Sequence, residues 1–142
     1  MNILQQTEKD NNKQIIINKN NHIAVEFIKF YYNVIKTNPS LLVDSNGQFL
    51  YKEQSIYKLQ GQDIKNQKNI LETLIDFKNR GINHNIRNID TISVGSRRIE
   101  ILVTGLLIID GITYNFSEVF NIACGNKNSN WWILTNILRI IN

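Results

Sequence analysis

The chain has one cysteine, one proline and no long apolar run among its 142 residues. A single cysteine, Cys124, excludes an internal disulfide and fits a reducing compartment. It lies in Ala123-Cys124-Gly125 with no His or Asp beside it, the setting of a small buried residue rather than a nucleophile. No segment approaches the roughly 18 apolar residues of a membrane-spanning helix, and the N-terminus lacks the apolar stretch of a signal peptide. A soluble intracellular protein without membrane contact is therefore expected. HExxH, GxSxG, CxxC and glycine-rich phosphate loops are all absent, so metal, nucleotide and serine-hydrolase chemistry have no motif here and no cofactor is expected. The net charge of +4 permits weak attraction to acidic surfaces, but Arg97-Arg98 is the one adjacent basic pair. Direct contact with nucleic acid is not expected.

What the chain does have is a hairpin with oil on both sides. Thr104 to Phe120 reads TGLLIIDGITYNFSEVF, two apolar runs joined at Asp110-Gly111, a turn signal. A sheet with one wet face alternates apolar and polar residues. Here Ile99, Ile101, Val103, Leu107 and Ile109 share one phase, while Leu102, Leu106 and Ile108 share the other. Something has to cover each side: helices on one, a second chain on the other.

Residues 1 to 20 are polar apart from Ile15 to Ile17, and the expectation is a disordered tail ahead of a domain over 21 to 142. Ile23, Ala24, Phe27, Ile28, Tyr31 and Ile35 form the stripe of an amphipathic helix that starts near Asn21 and stops before Pro39. A short helical segment to Leu42, a turn at Ser45 to Gly47, and strands over 49 to 51 and 55 to 59 come next. A second helix is expected over 63 to 78, ended by Gly81. Strands follow over 82 to 94, 97 to 110, 112 to 123 and 131 to 141, with a polar loop from Gly125 to Asn130. The apolar phase slips between Ile86 and Ile89, which predicts a bulge that bends the sheet. The plan is α+β: a cone-shaped, strongly curved antiparallel sheet with N-terminal helices packed on its concave face.

Phe27-Ile28-Lys29-Phe30-Tyr31-Tyr32 followed by Thr37-Asn38-Pro39-Ser40-Leu41 resembles the first helix and turn of the nuclear transport factor 2 family. Leu59-Gln60-Gly61, Thr104-Gly105 through Asp110, Phe116-Ser117 with Val119-Phe120, and Trp131 followed by Arg139 match the same family in order and spacing. The resemblance implies a non-enzymatic nucleocytoplasmic transport adaptor, a homodimer joined through its sheet, moving between cytoplasm and nucleus and acting at the nuclear envelope. Its implied partners are a Ran-type small GTPase in the GDP form and Phe-Gly nucleoporin repeats. Other members imply two alternatives: an mRNA-export subunit paired with a larger homologous domain or a stress-granule-type scaffold that binds Phe-rich peptides, and a cavity enzyme of the ketosteroid isomerase or scytalone dehydratase type.

Carried over residue by residue, the resemblance puts Asp110, Glu53 and Tyr51 at a cavity rim that holds the GTPase. Asp110 also suits the turn chemistry of Asp-Gly whatever the function, and the family's second hairpin aspartate is replaced by Gly111-Ile112. Asn20 stands where the namesake has the exposed aromatic that takes nucleoporin repeats, so Phe30, Tyr32, Trp131 or Trp132 has to substitute. Arg139, three residues after Asn136, is a candidate dimer contact, and Trp131 and Trp132 are expected on opposite faces, in core or interface. For the enzyme alternative the acid-base candidates are Tyr31, Tyr32, Asp44, His84 and Asp110, and that alternative requires a carboxylate or His deep in the cone with a displaced pKa. His22 and His84 otherwise read as structural or surface histidines.

Overall fold

The computed structural model describes residues 3–125 and 130–141, with side chains from Lys19 onward. Helix α1 spans Ile3–Thr37. Its backbone starts well before the expected position near Asn21, since nothing from residue 3 to 37 is Gly or Pro. Burial of the described side chains begins at Asn20, 3% exposed. At the other end the helix stops where expected, and a 3-10 turn over Pro39–Leu41 follows, its Asn38 side chain accepting from the Ser40 amide.

Strand β1, Tyr51–Leu59, is one element where two short strands are expected. A register shift between Tyr51 and Ile56 marks the irregularity that the sequence shows as a gap. Residues 62 to 65 are strand rather than the start of a helix: β2, Gln62–Lys65, folds back on β1 around Gln60 and Gly61, both at positive φ. Helix α2, Gln67–Asn79, starts after Asn66, whose side chain accepts from the Asn69 amide and caps it. The rest is a meander: β3, Asn83–Ser93; β4, Arg98–Ile109; β5, Ile112–Ala123; β6, Trp132–Ile141. The expected loop after Gly125 falls mostly on residues 126 to 129, outside the described residues.

The six strands form one curved sheet in the order β2-β1-β6-β5-β4-β3. The expectation of a wholly antiparallel sheet is corrected here, because β1 and β6 run parallel. The four-strand meander starts from the far edge and returns with β6 beside β1, in the same direction. The bulge expected in β3 is present as a register shift between Ile86 and Asn88. Gly105 faces it across β4, and a Cβ there would lie 2.2 Å from the Asn85 carbonyl oxygen, so only glycine fits this approach.

Both helices pack on one face. Ile99, Ile101, Val103, Leu107 and Ile109 are all buried beneath them, together with Phe116, Phe120 and Ile122 of β5. Leu102 and Ile108, in the other phase, are each 37% exposed. On this outer face Leu102, Val119 and Ile137 lie directly opposite one another across β4, β5 and β6.

Candidate functional site

Three places on this scaffold carry chemistry. The first is a buried polar network on the inner face. Consecutive Tyr31 and Tyr32 of α1 both reach inward, because the helix meets the concave sheet along a wide face. The Tyr31 and Tyr51 hydroxyls are 2.6 Å apart, and Tyr51 donates to Asn136 Oδ1 at 2.7 Å. Asn136 Nδ2 donates to Glu118 Oε2 at 3.1 Å, and Tyr32 donates to Glu118 Oε1 at 2.8 Å. Glu118 is 1% exposed. Burial raises its pKa to about 7, against the two hydrogen bonds that favour the charged form. Burial likewise pushes the Tyr31, Tyr32, Tyr51 and Tyr57 hydroxyls well above the usual phenol range, so all four stay neutral. His84 stacks on Tyr32 with ring centroids 3.8 Å apart; burial lowers its pKa to about 3, and its buried Nδ1 has no hydrogen-bond partner among the described residues.

This network contains what the enzyme alternative requires, a displaced carboxyl and a displaced imidazole. Residue spacing does not single out Glu118, although its strand phase, shared with Phe116, Phe120 and Ile122, carries the signal: a carboxylate among residues that face the core. None of the described cavities is lined by Glu118, Asn136, Tyr31 or Tyr32. The groups are saturated by one another and tie α1 to β1, β5 and β6.

The second place is a cleft of about 320 Å³ on the α1 side. Its apolar wall is Ile23, Phe27 and Phe30 of α1, with Val43, Leu50 and Trp131 opposite. Glu26, Asp44 and His22 edge it. Phe30 is 42% exposed despite lying on a helix whose other aromatics are buried. Two residues far apart in sequence, Phe30 and Trp131, are thus brought together. Trp132 lies elsewhere, with the Lys52 ammonium 5.0 Å from its ring centre. Asn20 is buried and donates to Ser93 Oγ at 2.9 Å, which removes it as an exposed anchor.

The third is a pocket of about 310 Å³ at the mouth, between the ends of β1, α2 and the β4–β5 hairpin. Leu59, Gln60, Phe77, Ile109, Tyr114 and Ile140 line it together with Arg80. Asp110 is held here by Arg80, Nε to Oδ2 at 2.9 Å. That hydrogen bond raises the Arg80 pKa further above its ordinary value. Glu53 is exposed, and its Oε1 accepts from the Gln67 amide at the start of α2 at 3.4 Å, a favourable place for a carboxylate. Tyr51 is fully buried, its hydroxyl committed to the inner network, so of the three expected rim residues it presents no surface. Arg139 is exposed on the outer face, opposite Ser117.

Two helices laid over one side of a curved mixed sheet, with an apolar cleft beside α1 and a second pocket at the mouth, define a small α+β domain. The family model described as the nuclear transport factor 2 domain matches residues 23–140, and the chain belongs to that family. It is 28% identical over 123 residues to nuclear transport factor 2 of Schizosaccharomyces pombe, covering 84% of this chain and 94% of that protein. The structure of nuclear transport factor 2 from Cryptosporidium parvum superposes with a TM-score of 0.71 at 26% identity, over 84% of this chain and 93% of that one. A putative scytalone dehydratase from Novosphingobium aromaticivorans shares the fold, with a TM-score of 0.68 at 17% identity, over 88% of this chain and 87% of that one.

Proposed function

We propose that this chain is a dimeric, non-enzymatic transport adaptor that binds Phe-containing repeats in the cleft beside α1 and a basic GTPase surface at the mouth. The observation that carries the reading is the convergence of Phe27, Phe30 and Trp131 on one apolar cleft of about 320 Å³. A Phe ring from a Phe-Gly repeat fits such a wall edge-on or stacked, and its burial contributes about 1.5–3 kcal/mol before ordering costs are met. Affinity of that size suits contacts that form and break repeatedly along a nuclear pore. At the mouth, Arg80 lines a pocket with Leu59, Phe77 and Ile109 and pairs with Asp110 and Asp76, which supports a partner that brings an apolar anchor beside basic groups, as a GDP-bound Ran-type GTPase would present. The outer apolar face supports a homodimer, with Arg139 and Ile137 on the same surface. The protein then works in cytoplasm and nucleus, passing the nuclear envelope with its cargo.

The cavity enzyme is the second reading, because Glu118 and His84 are displaced as it requires. What favours the adaptor is that Glu118 is already engaged, its two oxygens accepting from Tyr32 and Asn136.

Titration of the labelled protein with a Phe-Gly repeat peptide tests the proposal. Shifts are expected at Phe30, Leu50 and Trp131, and Phe30→Ala should weaken binding by about tenfold while leaving the fold intact, since the residue is largely exposed. Shifts elsewhere, with the cleft silent, would remove the reading.

A further inference from the structure

At the mouth of the cone the hairpin tip and the end of α2 are tied together twice. The Asp110 amide donates to the Arg80 carbonyl at 2.8 Å. The Arg80 guanidinium returns to the Asp110 carboxylate through Nε at 2.9 Å and Nη2 at 2.8 Å, both on Oδ2. Its Nη1 lies 3.6 Å from Asp76. Arg80 therefore stands between two carboxylates, lining the pocket that Leu59, Phe77, Ile109, Tyr114 and Ile140 form with the polar side chain of Gln60. A Lys or Arg arriving from a partner meets a positive charge at the very carboxylate it has to reach.

The pair is open to solvent. The Arg80 and Asp110 side chains are 44% and 52% exposed, and ion pairs this open are worth little. Exchanging one cation for another on Asp110 is close to neutral, so a partner's cation alone gains nothing. Net binding has to come from an apolar side chain that enters the pocket at the same time.

We infer that Arg80 is an intramolecular stand-in for a partner's cation, occupying Asp110 in the free chain and turning away when a protein surface offers an apolar side chain beside a Lys or Arg. This rests on the adaptor reading above and adds a selectivity device to it. Surfaces that are merely basic are refused, and those that pair a cation with an apolar anchor are accepted.

The experiment is calorimetric titration of wild type, Arg80→Gln, Arg80→Lys and the Arg80→Gln/Asp110→Asn double variant. One probe is a capped Lys-Phe-Lys peptide and the other a GDP-loaded Ran-type GTPase. Arg80→Gln removes the charge while keeping a hydrogen-bond donor, and should bind the peptide about two- to fivefold tighter than wild type, an advantage that shrinks in high salt. Arg80→Lys should resemble wild type, and the double variant should lose the gain. Equal or weaker peptide binding by Arg80→Gln, or no peptide binding by any chain, overturns the inference. If the peptide gain appears but no chain captures the GTPase, the inference stands and the GTPase part of the adaptor reading falls. If the GTPase is captured equally by all chains and the peptide gain is missing, the stand-in falls and the adaptor remains.

Discussion

The two faces of the sheet are built from the same strands, one residue apart, and meet opposite fates. On the inner face Ile101 and Val103 are fully buried, and the polar groups there close on each other: Tyr31, Tyr51, Asn136, Glu118 and Tyr32 form one hydrogen-bonded chain. On the outer face Leu102, Val119 and Ile137 stand in register across three strands, with Leu102 at 37% and Ile137 at 43% exposed. The inner face is completed within one polypeptide. The outer face presents an apolar row that one chain leaves open, the surface that the proposed homodimer would cover. The difference shows where folding ends and recognition begins.

The sharpest way to break this comparison is a charge in each phase. Ile101→Glu places a carboxylate in the core and should destabilise by more than about 4 kcal/mol, enough to abolish a cooperative thermal transition. Leu102→Glu, one residue on, should keep the transition and dissociate the proposed dimer. Similar unfolding by both changes would show that the two faces are not distinct.

Next in size is a pH effect confined to the inner face. Glu118 keeps its proton up to about pH 7, against 4.5 as its ordinary value, so between those limits folding takes up a proton and stability falls as pH rises. His84 has the opposite sign: neutral in the fold down to about pH 3, against 6.5 ordinarily, it makes stability rise with pH through that range. The two slopes oppose one another between about pH 4.5 and 6.5. In urea denaturation His84→Phe should therefore expose the falling slope of Glu118, on the order of 3 kcal/mol across its window. Glu118→Gln should expose the rising slope of His84. Parallel curves for both variants would contradict the buried placement of these groups.

Smaller again is Gly105→Ala. Its Cβ would press on the Asn85 carbonyl at 2.2 Å, and relief by shifting β3 should cost about 1–3 kcal/mol, read as a lower denaturation midpoint. No such cost would mean that the β3 bulge is loose.

Most of the fold is legible in the sequence because periodicity reports burial directly. The α1 stripe, the bulge after Ile86 and both phases of β4 follow from spacing alone. Short elements are not legible in this way. The four residues of β2 read as the front of a helix because Gln60-Gly61 acts as a hairpin turn only once β1 is there to pair with. The parallel β1–β6 contact is set by the path of the whole chain, not by any local signal. In the candidate sites, Phe30 and Trp131 are legible as aromatics but not as neighbours, since 101 positions separate them in sequence. Glu118 is hard to read from sequence because a carboxylate in a strand reads as surface until the phase of its neighbours is weighed, and the Arg80–Asp110 pair depends on a helix end and a hairpin tip meeting in space.

Sedimentation equilibrium of the purified wild-type chain beside Leu102→Glu tests the contrast between the faces most directly. A two-fold mass for wild type, reduced to that of one chain in the variant with its fold retained, is the outcome predicted here. A wild-type chain that sediments as a single subunit at every concentration tried would contradict it.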